Sequence, residues 1–320
     1  MSMNATGDTA IAADAPASMR IPAPNGPQNG VLLAFLSYAA FSFSDASIKL
    51  LEGTINSFQL AFFGALLGFA ALPFVRRPGE RYADLLRTSS RPLWLVRAAA
   101  TAVSTVTSVI AFTRLPMPEA FALIFLMPLF ITIMSVFLLK EEVGRWRWAA
   151  VVIGFLGVLV VLRPGFRELN GGHLAALAAG MASAVSVVMF RLVGPQEKRI
   201  SLYGAGLFGP LVVNGLLMLG DLTPPSVWQI GFVLSYGLLA ALGQALLMFA
   251  AQAAPASRIA PPQYSQMLWA VALSYLLFLE PVDAMTFVGI GIIIAAGLIT
   301  WMRERIKLPV WRRRFPMRPR

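Results

Sequence analysis

Ten apolar runs divide the chain, at roughly 31–51, 55–75, 92–114, 118–139, 146–163, 173–193, 201–220, 228–250, 257–279 and 284–302. Most are near the roughly 20 residues that cross ~30 Å of hydrocarbon at ~1.5 Å per helical residue. Each run therefore predicts a membrane-spanning helix. The connections are brief, such as Gly53-Thr54 and Asp221-Leu222-Thr223-Pro224-Pro225, and short loops make successive helices antiparallel neighbours. One stretch sets the design. Glu119–Pro164 is two apolar runs split by Lys140-Glu141-Glu142-Val143-Gly144-Arg145, and Ser257–Trp301 repeats it around Glu280-Pro281-Val282-Asp283. A helix pair written twice predicts a duplicated chain, and an odd number of spans per copy inverts the second copy. The expected fold is an all-α integral membrane protein of ten transmembrane helices, built from two inverted five-helix repeats at 30–165 and 172–302. These are flanked by a disordered tail over 1–29 and a basic tail over 303–320, both cytoplasmic.

Composition agrees: 58% of the residues are hydrophobic and 13% are charged, against about a quarter charged in a soluble domain. The mean hydropathy is +0.71. The net charge of +11 suggests a nucleic-acid partner only until its placement is read. With the N-terminus inside, 21 of the 26 Lys and Arg residues fall on the inner side and 4 on the outer. That is the positive-inside pattern of a multi-pass protein with both termini in the cytoplasm, and no nucleic acid is expected. Trp94, Trp146, Trp148, Trp228 and Trp301 fall near the predicted ends as an interfacial belt, whereas Trp269 falls mid-span. The first 29 residues lack the basic start and apolar core of a signal peptide. With no Cys and one His, no disulfide, thiolate or His-rich metal site is expected. No Walker motif is present, so no cofactor and no ATP drive are expected.

Four segments carry a resemblance: FSFSDASIKLL in the first span, AFTRLPMPEAFALIFLMPLF with Pro128 inside the helix, LLKEEVGRWRWAAVVIGFLGVLVVLRPG, and PPQYSQMLWAVALSYLLFLEPVDAMTFVGIGIIIAAGLI. The chain resembles the ten-helix EamA branch of the drug/metabolite transporter superfamily over about residues 31–302. In the third segment Lys140 stands where the family usually has a Gly. The resemblance implies transport of amino acids, sugars, nucleoside-like metabolites, vitamins such as riboflavin, or S-adenosylmethionine.

Several residues in or near the spans stand out. Asp45 and Lys49 share one face of the first run, either as a mutual ion pair or with Asp45 as a proton or substrate site, since ionisable groups in a span are costly. Glu119 opens the fourth run, where it complements the helix dipole or acts in coupling. Arg97 either reaches the headgroups or binds an anionic group at an inner gate. Pro128 and Pro262 break helices, as packing kinks or as breaks facing a cavity. Gln263, Tyr264, Gln266 and Trp269 form the densest polar-aromatic group in any span and are the leading substrate contacts, suited to a planar or amino-bearing metabolite; core packing is the other reading. Gln244, Tyr38 and Ser42, with Ser183 and Ser186, are weaker candidates.

The expected function is a secondary transporter moving a small polar or aromatic metabolite across the cell inner membrane by alternating access. Its partners would be the small-molecule substrate and the lipid bilayer, with proton or ion coupling and a homodimer as further expectations. The rival readings are a membrane-embedded enzyme, for which one His and scattered carboxylates are poor material, and a non-transporting membrane scaffold.

Overall fold

The computed structural model describes residues 27–77, 79–140, 144–163, 169–193, 197–253 and 261–306. Most of both expected tails, the hairpin residues Glu141, Glu142 and Val143, and Pro164, Arg167 and Arg258 lie outside the described residues. Among the described residues the structure is all helical, with no strand. Among the described residues twelve α-helices follow in order: α1 Pro27–Lys49, α2 Ser57–Gly68, α3 Leu72–Val75, α4 Arg91–Arg114, α5 Met117–Ile124, α6 Met127–Leu138, α7 Arg145–Leu162, α8 Gly171–Val193, α9 Arg199–Leu217, α10 Val227–Ala253, α11 Ser265–Phe278 and α12 Ala284–Ile306. Among the described residues, seven spans are long and apolar enough to cross a membrane: Asn29–Lys49, Ser57–Val75, Arg91–Arg114, Met117–Leu138, Gly171–Met189, Arg199–Gly220 and Val227–Ala250. Trp148–Leu162 and Ala284–Ile299 are apolar but shorter.

Two of the apolar runs are broken helices, and the reason is local. In the run 118–139, α5 ends as Phe125 and Leu126 turn, and α6 restarts with Pro128 in its first turn. Proline has no N–H to donate to the preceding turn, so the helical ladder lapses there. Gly180 of α8 lies against the freed Ile124 carbonyl, where a Cβ would stand 3.0 Å from the oxygen. In the run 257–279, Pro261–Tyr264 forms a tight 3-10 turn before α11 begins.

The bundle is packed mainly by α1 against α10, α4 against α8 and α9, α7 against α12, and α2 against α9 and α10. Large apolar side chains such as Leu32, Phe137, Leu156, Leu216 and Leu276 are exposed on the outside, as lipid contact requires. Small and hydroxyl side chains face inward. Ser37 and Ser44 donate to the carbonyls of Gly243 and Tyr236 at 2.7 and 2.8 Å, and Ser47 meets the Ser235 hydroxyl at 2.8 Å. These bonds hold α1 to α10 where lipid offers no hydrophobic drive for helices to associate. Gly157 and Gly289 bring α7 and α12 into near backbone contact.

Each end of the bundle is tied by polar contacts. At the basic end, Asp84 in the loop before α4 takes a 2.7 Å hydrogen bond from Lys198, and Glu80 accepts the Arg199 N–H at 2.8 Å. The Lys198 hydrogen bond, then the Arg81 N–H, holds the Asp84 carboxyl below its ordinary range. Glu197 accepts from Ser89 N at 2.8 Å. At the far end, Asn56 donates to Asp221 at 3.0 Å, and Arg163 pairs with Asp283, which also caps α12 through the Thr286 N–H.

The closest helix approach generates a test. A Cβ on Gly209 of α9 would overlap the Ala98 backbone of α4, while one on Gly291 meets nothing within 4 Å. Gly209→Ala is expected to cost about 1–3 kcal/mol of stability through overpacking, and Gly291→Ala to be neutral, read by thermal unfolding of the two variants in the same detergent.

Candidate functional site

The two helix breaks face one another across the bundle and border a cavity of about 170 Å³. α1 contributes Asp45; α4 contributes Ser108 and Phe112; α5 contributes Phe121 and Ile124. The first break contributes Phe125, and α6 contributes Met127 and Pro128. The second break contributes Gln263, and α11 contributes Gln266. A helix that keeps its hydrogen bonds presents only side chains, whereas a broken one also thins the wall, so the cavity lies where the ladder lapses. Its polar lining is one carboxyl, one hydroxyl and two amides. The remainder is aromatic and aliphatic, as in small-molecule sites generally.

Four of the residues singled out in the sequence converge here: Asp45, Pro128, Gln263 and Gln266. Asp45 is half-buried and makes no hydrogen bond or salt bridge among the described residues. Lys49, the expected ion-pair partner one turn along, is engaged elsewhere. Its ammonium is buried, donates to the Leu115 carbonyl at 2.9 Å, pairs with Glu280 at 3.0 Å and lies 5.3 Å from the Phe278 ring centre. Glu280 also accepts from the Ser274 hydroxyl at 3.0 Å. The mutual Asp45–Lys49 pair is thus replaced by a tie between the end of α1, the α4–α5 turn and the α11–α12 turn. Asp45 is left facing the cavity.

The other candidates do not line the cavity. The Trp269 ring stands 6.0 and 5.8 Å from those of Phe35 and Phe43, and its Nε1 is buried with no partner among the described residues. Tyr264 stacks near Phe125 at 6.1 Å, and its phenol occupies the space that a side chain on Gly297 would need. Pro262 sits in the tight turn before α11. Tyr38 packs among Leu33, Ala34, Leu247 and Ala250; Ser42 donates to the Tyr38 carbonyl at 3.0 Å; Gln244 is half-buried on α10. Arg97 donates to the carbonyls of Leu202 at 3.0 Å and Ser186 at 2.7 Å, bracing α8 and α9. Glu119 is in the first turn of α5, as expected, with His173 3.8 Å away across the bundle.

The aromatic wall was not visible in the sequence. Phe112 and Phe121 are 5.0 Å apart and Phe121 and Phe125 are 6.2 Å apart. The i, i+4 spacing of Ser108 with Phe112 and of Phe121 with Phe125 is the one sequence signal that places each pair on a common helix face.

The Lys49 tie is testable by charge removal. Glu280→Gln leaves a buried ammonium short of its counter-charge and is expected to cost about 1–3 kcal/mol. Adding Lys49→Met removes the buried charge itself and is expected to recover most of the loss. Thermal unfolding of the single and double variants measures both.

Comparison with known proteins places this geometry. The model of the EamA-like transporter family matches residues 28–163 and again 170–302. The chain is 26% identical to the S-adenosylmethionine uptake transporter of Rickettsia prowazekii, over 87% of this chain and 94% of that protein. It is 24% identical to the pseudopaline exporter of Pseudomonas aeruginosa over 87% and 97% of the two chains, and 28% identical to the riboflavin transporter of Rhizobium johnstonii over 74% and 79%. A solved crystal structure shares the fold, with a TM-score of 0.58 at 19% identity over 88% of this chain and 99% of that one. Two family matches that together cover the helical part, and relatives of similar length named as transporters, establish the class: this is a multi-pass membrane protein that belongs to the EamA-like transporter family.

Proposed function

We propose that the protein is a secondary transporter that carries a small polar or aromatic metabolite through the central cavity by alternating access. It is read as ten spans in two inverted repeats, 30–165 and 172–302, in the cell inner membrane with both termini cytoplasmic. Three observations support the repeat. The family model matches twice, at 28–163 and 170–302. A proline-associated break falls in the fourth apolar run and again in the ninth. The helix pairs also come in exchanged sets: α1 on α10 corresponds to α4 on α8 when the copies are swapped, and α7 on α12 corresponds to itself. Inverted copies allow one arrangement to open inward and its mirror to open outward around a fixed site. The 21-to-4 distribution of basic residues supports the orientation. Relatives named for three different metabolites share most of the chain, so the substrate is to be read from the cavity lining.

The observation that carries the reading is the carboxylate of Asp45, in a span, half-buried, facing a cavity and without a hydrogen-bond or salt-bridge partner among the described residues. An ionisable group costs kcal/mol in hydrocarbon and persists where it serves a pathway or a proton relay. Asp45 takes up either a proton or a substrate group, and that exchange couples the two. Gln263 and Gln266 supply the hydrogen bonds that orient the substrate. In this reading Tyr264, Pro262 and Pro128 shape the breaks. Lys49 and Glu119 tie the far end shut, and Arg97 braces the basic end.

Two outcomes are expected. In proteoliposomes, metabolite flux through the wild-type chain varies with pH. Asp45→Asn flattens that profile and slows flux about tenfold, equivalent to roughly 1.4 kcal/mol. Lys49, the base on the same helix face, is already paired with Glu280, so an unchanged profile would remove Asp45 from coupling. For Trp269, replacement by Ala is expected to lower the unfolding temperature, since two aromatic contacts of about 0.5–1.5 kcal/mol each are lost. Trp269→Phe keeps the ring and removes the unpartnered N–H, so it is expected to be tolerated. Half-saturation for the transported solute should change less than about twofold in either variant, and a large change would return Trp269 to the substrate site.

A further inference from the structure

Resting on the proposed transport site, we infer that the cavity selects small organic cations, meaning an ammonium or sulfonium centre attached to an apolar or planar body. The charge count in the wall is the first argument. Asp45 is the one charged side chain among the described lining residues. Two basic side chains within the spans that line the cavity, Lys49 of α1 and Arg97 of α4, are committed elsewhere: Lys49 to Glu280 and the Leu115 carbonyl, Arg97 to the carbonyls of Leu202 and Ser186. A carboxyl group with no protein counter-charge, in a site walled by hydrocarbon, is held as a carboxylate by an incoming positive centre, which it then attracts, whereas an anion beside it favours the uncharged acid and gains no such attraction.

The aromatic wall is the second argument. Phe112, Phe121 and Phe125 form a continuous run of rings along the same cavity. Ring faces attract cations, and more so where water is excluded; they offer nothing to an anion. The remaining polar groups, Ser108, Gln263 and Gln266, are neutral and suit the hydroxyl, amide or ring-nitrogen atoms of the same molecule.

The same lining is poor material for a hard divalent ion. Hard divalent ions need about six oxygen ligands in a regular shell. No group of three metal-binding side chains exists among the described residues. One carboxylate beside three phenyl rings fits a weakly hydrated cation whose charge is spread over carbon-bound hydrogens.

The test uses the purified full-length chain with three matched probes: benzyltrimethylammonium as fixed cation, benzyl alcohol as neutral body and benzoate as anion. Binding is read by intrinsic tryptophan fluorescence in detergent. Counterflow of each probe is read in proteoliposomes, with protein-free liposomes as the leak control. Saturable binding of the cation, at least about tenfold tighter than either other probe, is expected. Asp45→Asn is expected to weaken cation binding about tenfold or more, with Asp45→Glu retaining most of it. Phe125→Leu keeps an apolar wall but removes the ring face, and is expected to weaken the cation about threefold while leaving benzyl alcohol unchanged. Equal or tighter binding of benzoate or benzyl alcohol overturns the inference, as does full cation affinity in Asp45→Asn. Movement of neutral or anionic probes alone overturns cation selectivity and leaves the transport reading standing. Cation binding with no movement of any probe, and none of a broader metabolite panel, sustains the selectivity and overturns transport. Neither binding nor movement overturns both.

Discussion

Inside hydrocarbon a backbone carbonyl or N–H without a partner costs several kcal/mol, and the architecture follows from how this chain meets that demand. Unbroken helices satisfy it within each segment, which is why no strand occurs among the described residues. The two places where it lapses, at Phe125-Leu126 and Pro261–Tyr264, are covered by protein, with Leu126 buried and Phe125, Pro262, Gln263 and Tyr264 half-buried. Gly180 comes up against the Ile124 carbonyl, and Tyr264 fills the space left by Gly297. The cavity exists because irregular backbone is tolerated only where protein or a cavity covers it. Its position is therefore a consequence of the prolines and of the glycines that face them.

The same demand, applied to charge, sorts the ionisable side chains into two kinds. Lys49, Arg97, Glu119 and Arg163 sit within or at the ends of spans, and each is tied to another helix or turn. These ties stitch elements that lipid alone would not hold together. Asp45 differs, because the one base on its own helix face is taken by Glu280. A single competing partner thus turns what reads as an i, i+4 ion pair into an unneutralised acid on a cavity wall.

Trp269 shows how sequence proximity misleads about a site. It belongs to the same polar-aromatic cluster as Gln263 and Gln266, and Gln266 shares its face at i, i+3. The glutamines line the cavity, while the indole lies between Phe35 and Phe43. Three residues cover about 300° of an α-helix, not a full turn, so positions i and i+3 diverge enough for a large ring to leave a wall that a slimmer amide reaches. The phenylalanines of the wall escaped notice for the opposite reason: in a chain with 22 Phe residues, three of them in apolar runs carry no compositional contrast.

By itself the sequence determined the helical class, most run boundaries to within a few residues, the two helix breaks and the family. All of these are local, since they depend on the polarity of a run, the missing N–H of proline or a short motif. The tertiary structure alone decided which acid is left unpaired, which aromatic rings face the cavity and which brace its outside. Those depend on groups far apart in the chain, such as Lys49 with Glu280 or Asp45 with Gln263, whose distances are set by how the helices pack and not by any interval along the sequence.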